Sequence, residues 1–310
     1  MITLSDPFGR GISNIRISLT ERCNLNCSYC HKEGHSSKSG RELSPSEVER
    51  LMRVATSLGI NRVKLTGGEP TLRGDLVEII GRIALIPGIG EISMTTNGTL
   101  LENLATELKR VGLGRVNVTI DSLKPEVYSR ITGHDSLDDA IRGLEAAVTA
   151  KLTPAKINTV VLKSVNESEV QDLISFSSKM GVILQLIELV SKNDHTGFYR
   201  KYHYDLGPIE DSLRRESVKA IDRVMNKRRK YILPNGSEVE IVKPMHNTEF
   251  CSNCHRIRLT SDGQLKPCLM RDENLVDVIS PLRRGATDSQ LAALIREAVQ
   301  RREPYYRATL

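Results

Sequence analysis

The sequence predicts an α/β protein whose parallel sheet curls into a barrel or part of one. Two observations carry this. Short β-like runs alternate with helix-like runs through the first two-thirds of the 310 residues, the pattern of βαβ units. Unusual residues also collect where successive strands end: residues 20–30, Thr66-Gly67-Gly68-Glu69-Pro70, Thr95-Thr96-Asn97-Gly98, Asp121 and Asn158. In a parallel barrel the active site lies at the carboxyl ends of the strands. An open doubly wound sheet is the other arrangement, but site-like loops after several successive strands favour the barrel.

Each element follows from local chemistry. Residues 14–19 alternate polar and apolar side chains and read as the first strand. Ser44-Pro45-Ser46-Glu47 starts a helix, with Ser as cap, Pro in the first turn and Glu three residues on; Gly59 ends it. Strands are then expected over residues 61–66, 91–95, 115–120, 155–161 and 183–189. Helices fall between them, over 75–86, 100–111, segments of 125–150, and 167–180. After Val190 the pattern changes. Residues 191–205 read as loop, 207–219 as helix and Arg228-Arg229-Lys230 as a basic run. Two β-like runs flank Pro234-Asn235-Gly236. Residues 257–260 and 264–266 form a hairpin around Ser261-Asp262-Gly263, and 289–302 form a last helix. This suggests one unit of residues 1–220 and a second of 221–310.

Composition narrows the function. Apolar residues make up 39% and charged residues 26%, which fits a globular chain and not a disordered one. No run approaches the roughly 18 apolar residues that span a bilayer. Met1-Ile2-Thr3-Leu4-Ser5-Asp6 has neither the basic start nor the apolar stretch of a signal peptide, so a cytoplasmic location is expected. Lys and Arg total 44 against 38 Asp and Glu, a net charge of +6. That excess suits a polyanionic ligand, a nucleic acid or simply a solvated surface.

The six cysteines are more informative. They fall as Cys23, Cys27, Cys30 and Cys251, Cys254, Cys268. Two odd-numbered groups make a poor disulfide framework and suit two metal or iron–sulfur sites with three thiolates each. The first is a C-x3-C-x2-C whose close spacing lets three thiolates grip one cubane and leaves one iron open. Its competing reading is zinc with His31 as fourth ligand. The second is a C-x2-C-x13-C, for which a zinc knuckle completed by His246 or His255 competes. A basic zinc-binding nucleic-acid module would follow from the zinc readings. His35, His134, His195 and His203 show no ligand spacing.

C-x3-C-x2-C with Tyr29 before its last cysteine, after a first strand and followed by Gly67-Gly68-Glu69-Pro70, resembles the radical S-adenosylmethionine (SAM) superfamily. The run C-x2-C-x-R-x-R-L-T-x-D-G-x-L-x-x-C from Cys251 to Cys268 resembles one family within it, the GTP 3′,8-cyclases of molybdenum-cofactor synthesis. Residues 16–23, 65–70, 95–98, Asn117-Val118-Thr119-Ile120-Asp121 and Lys156-Ile157-Asn158 join the resemblance, which runs from about residue 7 to about residue 284.

The resemblance implies a partial triosephosphate-isomerase-type (βα)6 barrel with a C-terminal cluster-binding extension. It implies two 4Fe-4S clusters, one on Cys23, Cys27 and Cys30, the other on Cys251, Cys254 and Cys268. Tyr29, Gly68, Thr119 and Val190 would meet SAM. Arg16, Lys64, Thr95, Lys156, Arg256, Ile257 (through its backbone) and Arg258 would meet GTP, with Arg256 and Arg258 also counted as catalytic. Arg pairs bidentately with phosphate oxygens, and two arginines two apart on a strand share a face. The implied partners are GTP, an electron donor, a downstream pterin-forming enzyme and a second copy of the chain, with no nucleic acid or membrane. A two-cluster enzyme that modifies a peptide or RNA is the rival within the superfamily.

Four departures from the family pattern stand out. Lys64 replaces an Arg, Val190 a Met and Gln185 an Arg. The chain ends Tyr305-Tyr306-Arg307-Ala308-Thr309-Leu310 instead of in Gly-Gly. Arg301, Arg302 and Arg307 in this tail read as a solvated basic helix end.

Overall fold

The computed structural model describes residues 4–34, 42–192 and 196–307. His35, His195 and the last three residues, Ala308, Thr309 and Leu310, lie outside the described residues.

Among the described residues twelve strands form one sheet. They are β1 (Asn14–Ser18), β2 (Arg62–Thr66), β3 (Glu91–Thr96), β4 (Arg115–Thr119), β5 (Lys156–Val161), β6 (Ile183–Glu188), β7 (Lys219–Asp222), β8 (Arg229–Ile232), β9 (Glu238–Val242), β10 (Arg256–Leu259), β11 (Gln264–Lys266) and β12 (Val276–Asp277). The order is β12-β11-β10-β1-β2-β3-β4-β5-β6-β9-β8-β7. Strands β1 to β6 run parallel in sequence order. The expected hairpin of β10 and β11 is present, and β10 also lies parallel to β1, while β9 lies parallel to β6. The chain after β6 therefore extends both edges of the sheet.

The helices are α1 (Pro45–Ser57), α2 (Leu76–Ala84), α3 (Ala105–Arg110), α4 (Pro125–Thr132), α5 (Leu137–Thr149), α6 (Val170–Lys179), α7 (Gly197–Tyr202), α8 (Gly207–Glu216), α9 (Thr248–Ser252), α10 (Ile279–Arg283) and α11 (Asp288–Gln300). α1 begins on the predicted capping box: Ser44 Oγ accepts from Glu47 N, and the Glu47 carboxylate accepts from Ser44 N, which stabilises the helix by about 1 kcal/mol. Its buried face (Val48, Leu51, Met52, Ala55) joins Ile79, Ile80 and Ile83 of α2 over Ile15, Ile17, Val63 and Leu65 of the sheet. Each such side chain contributes about 1.5–3 kcal/mol on burial. Three expectations shift. The helix expected from 100 starts at Ala105, the helix expected over 207–219 ends at Glu216 with Lys219 opening a strand, and α7 occupies part of the expected 191–205 loop.

The sheet is strongly curved. β10 and β8 are eight steps apart in the order, about 38 Å if flat at roughly 4.8 Å per step. Yet Asn226 N, just before β8, donates to Asn253 O just before β10 (2.8 Å), and Asn226 Nδ2 donates to Phe250 O (2.8 Å). The ends of the sheet are thus drawn together around a concave face, the partial barrel the sequence predicts.

Candidate active site

The loop after β1 carries Cys23, Cys27 and Cys30. The Gly-Gly-Glu-Pro segment after β2 is joined to it: Gly68 N donates to Thr20 O (2.7 Å) and Glu69 N to Arg22 O (2.8 Å). A Cβ on Gly68 would lie 2.1 Å from Arg22 O, so this close approach requires glycine. Glu69 is buried and accepts from Thr71 N, Thr71 Oγ1, Thr96 Oγ1 and Asn97 N at 2.6–3.0 Å. Asn97 Nδ2 donates to Asn24 Oδ1 (2.8 Å), between Cys23 and Cys27. The strand-end loops of β2 and β3 thereby fix the cysteine loop.

Tyr29 Oη donates to Asp121 Oδ2 (2.6 Å), and Val160 N donates to Asp121 Oδ1 (2.8 Å). Burial raises the Asp121 pKa to about 6. Burial, and then Asp121, push the Cys27 thiol up, and burial raises Cys23 as well. Tyr29, Cys30, Leu189, Val190 and Tyr199 line a cavity of about 770 Å³. Two of the residues expected near SAM, Tyr29 and Val190, share this wall; Gly68 and Thr119 are not part of it.

The concave face is crowded with cations. Strand register sets Arg258 beside Arg16 and Arg16 beside Lys64, a row across β10, β1 and β2. Arg256 is on β10 beside Asn14, and Lys156 is on β5 beside Asn117. Lys64 Nζ donates to Asn117 Oδ1 (3.2 Å), and Asn117 Nδ2 to Asn158 Oδ1 (3.0 Å) and Gln185 Oε1 (3.3 Å). Thr95 sits beside Asn117, and Thr119 beside Asn158. Ile257 turns its side chain into the core, so only its backbone is available to a ligand.

Burial, then repulsion from Arg115, Arg16, Arg256 and Lys156, lowers the Lys64 pKa well below its usual value. Burial and the neighbouring Arg16 and Arg258 act alike on Arg256. Lys156 pairs with buried Glu240, and Arg228 Nη2 lies 3.4 Å from the same carboxylate. Arg115, Arg228, Glu240 and Glu33 were missed from sequence. For Arg115 and Glu240 the available signal was a charged residue on a strand of a largely parallel sheet, where strands are normally apolar on both faces; Arg228 and Glu33 lie outside the strands and carry no such signal.

The second triplet lies at and after α9. Arg10 Nη1 donates to Cys251 O (2.9 Å) and Arg302 Nη2 to Cys254 O (2.7 Å). Asp6 Oδ2 pairs with both, at 2.7 Å from Arg10 Nε and 2.5 Å from Arg302 Nη1. Burial alone would raise the Cys254 pKa, but Arg302, Arg256 and Arg10 lower it. The solvated reading of Arg302 is therefore corrected: it is 2% exposed, because its charge is needed between Asp6 and Cys254. Arg301 and Arg307 are exposed, as expected.

All six cysteines are free. Among the described residues no three His, Cys, Asp or Glu side chains converge on a point that would hold a single ion. His255 Nδ1 instead donates to Gly11 O (2.7 Å), and His203 Nε2 pairs with Glu188 Oε1 (2.7 Å). The donors fit iron–sulfur clusters. Each set offers three thiols, and buried Arg10 Nη2 and Arg302 Nε beside the second set have no hydrogen-bond partner among the described residues. Unspent positive donors suit an anionic, thiolate-bound cluster.

A curved parallel sheet with a three-cysteine loop at its first strand end defines a class. Residues 17–177 match the model of the Radical SAM superfamily, and residues 182–308 match that of Molybdenum Cofactor Synthesis C. The fold is shared with Streptococcus suis SuiB bound to S-adenosylmethionine, at TM-score 0.63 and 16% identity over 83% of this chain and 60% of that one. It is also shared with anSMEcpe with bound AdoMet, at TM-score 0.60 and 21% identity over 83% and 74%. The chain belongs to the radical SAM superfamily.

Two relatives narrow this. It is 48% identical to the probable GTP 3′,8-cyclase of Thermococcus kodakarensis, over 98% of this chain and 100% of that one. It is 45% identical to that of Methanocaldococcus jannaschii, over 98% and 99%. Within the superfamily it belongs to the GTP 3′,8-cyclase family.

Proposed function

We infer that the protein is a radical SAM lyase that converts GTP to (8S)-3′,8-cyclo-7,8-dihydroguanosine 5′-triphosphate in molybdenum-cofactor synthesis. It uses S-adenosylmethionine and two 4Fe-4S clusters. The observation that carries this reading is the cationic row across β10, β1 and β2, with Lys156 on β5, in a chain whose two cysteine triplets place Cys27 and Cys254 in opposite electrostatic surroundings. Cys23 and Cys27 sit among carboxylates, Asp121 and Glu69. Cys254 sits among Arg302, Arg256 and Arg10.

Cys23, Cys27 and Cys30 would hold the first cluster, which would supply one-electron reduction of SAM. Tyr29, Gly68, Thr119 and Val190 would orient SAM, with Tyr29 fixed by Asp121. Cys251, Cys254 and Cys268 would hold the second cluster near the guanine. Arg16, Lys64, Lys156, Arg256 and Arg258 would neutralise and fix the triphosphate, joined by Thr95 and the Ile257 backbone. Holding GTP at both ends would make hydrogen abstraction from C3′ effectively unimolecular within the bound complex and would orient C3′ toward C8 for ring closure. Residues 1–220 would form the catalytic barrel and 221–310 the extension. A reductant, a downstream pterin-forming enzyme and a second copy of the chain are the proposed partners, in the cytoplasm. Among the described residues no helix is long and apolar enough to cross a membrane.

Anaerobically reconstituted protein given SAM, reductant and GTP should yield 5′-deoxyadenosine and the cyclised nucleotide. SAM cleavage independent of GTP, with the nucleotide unchanged, would refute the reading.

A further inference from the structure

The turn that follows Cys30 carries a carboxylate no sequence pattern flags. Glu33 Oε2 lies 2.6 Å from Arg258 Nη1, and Glu33 Oε1 lies 3.1 Å from Arg16 Nη1. Thr66 Oγ1 donates to the same oxygen (2.9 Å). One half-buried anion therefore bridges two of the arginines assigned to the triphosphate, in a small cavity also lined by Lys266 and Ser261. Paired arginines around a single carboxylate are the geometry with which they also grip a phosphoryl group.

The turn is held under strain. Lys32, Glu33 and Gly34 all take left-handed backbone angles, with φ of 48°, 51° and 72°, which side chains other than glycine rarely adopt. The local sequence does not favour this conformation; the pairs to Arg16 and Arg258 hold it. Lys192 Nζ also holds Gly34 O, and a Cβ on Gly34 would meet Leu269 O at 2.4 Å. The turn thus packs between Cys30 of one set and the residue after Cys268 of the other.

We propose that Glu33 occupies a phosphate subsite between Arg16 and Arg258 and sets GTP affinity, because the triphosphate must displace this carboxylate to reach those arginines. The proposal rests on the assignment of Arg16 and Arg258 to the triphosphate. A polyanion with several negative charges compensates two guanidinium groups better than one carboxylate does, so GTP wins the exchange, but at reduced apparent affinity. If the subsite is free about a tenth of the time, removing the competitor tightens binding about tenfold. Guanosine, which carries no phosphate, gains nothing.

The test is equilibrium dialysis of GTP and of guanosine against anaerobic holoenzyme, wild type and Glu33→Gln, with iron counted. GTP binding about tenfold tighter with guanosine unchanged supports the proposal. Unchanged or weaker GTP binding overturns it, and so does equal tightening of guanosine, which would place the effect outside the phosphate subsite. Should Glu33→Gln lose iron, Thr66→Val removes the hydroxyl donor to Glu33 and leaves the turn's sequence intact. Tighter GTP binding in it supports the proposal, and unchanged or weaker binding overturns it. Arg258→Ala separates the underlying reading. Wild-type GTP affinity in that variant refutes the triphosphate assignment itself. Weakened binding there, without tightening in Glu33→Gln, refutes only the role of Glu33.

Discussion

Arg302, near the end of the chain, and Asp6, near its start, form a buried ion pair at 2.5 Å beside Cys254. Asp6 also holds Arg10, and the two arginines hold the carbonyls of Cys254 and Cys251. The ends of the chain thereby clamp the loop that presents the second triplet.

Asp6→Ala tests the clamp. It leaves two buried guanidinium groups without their carboxylate, and breaking a buried pair from one side costs about 3–5 kcal/mol. Anaerobic denaturant titration should show a midpoint lowered accordingly. Iron should fall as well, because both carbonyl contacts depend on the orientation that Asp6 imposes. A midpoint and iron content equal to wild type would refute the clamp.

Gly68→Ala tests the joint between the Gly-Gly-Glu-Pro segment and the cysteine loop. The new Cβ would fall 2.1 Å from Arg22 O and 2.6 Å from Arg22 C. Backbone on both sides must move, a change of about 1–3 kcal/mol by overpacking. SAM binding should weaken at least tenfold by equilibrium dialysis, since the displaced loop carries Cys23. Wild-type affinity would mean that the joint tolerates the shift.

Cys254→Ser tests the independence of the two triplets. Wild type should carry about eight irons, and the variant about four, as loss of one cubane requires. The first triplet is fixed by Glu69, Asn97 and Asp121, none of which touches the second, so SAM should still perturb the spectrum of the remaining cluster. Loss of all iron would show that the triplets fold as one unit.

Much of this was legible in the sequence because the signals were local. The Ser44–Glu47 capping box, the alternation on β1 and the cysteine spacings each lie within a few residues, and each reappears in the structure. What escaped depends on contacts between distant segments. The pairing of β10 with β1 brings residues 256–259 beside 14–17, and only that register places Arg258 next to Arg16. Arg302 looked like a helix-end cation because nothing nearby in sequence pairs with it; its partner is Asp6. Glu33 read as part of a loop because its role depends on arginines from two strands.

Lys156 makes GTP binding depend on pH in a defined direction. Burial lowers its pKa to about 8, despite the opposing pull of Glu240, whereas the unfolded chain keeps its proton to about 10.4. Above pH 8 the folded protein therefore loses a cation proposed to meet the triphosphate. GTP affinity should fall by about fivefold between pH 8 and pH 9, the decline in the protonated fraction of a group with pKa 8. Stability moves the other way. Between about pH 8 and pH 10 the unfolded state binds more protons than the folded one, so unfolding becomes harder as pH rises. Lys156→Met should flatten both trends, leaving in the affinity profile only what Lys64, also lowered by burial and its cationic neighbours, contributes. Titration of GTP by calorimetry across this range, paired with denaturant midpoints, checks both signs. A wild-type affinity that is flat from pH 8 to pH 9 would remove Lys156 from the triphosphate site.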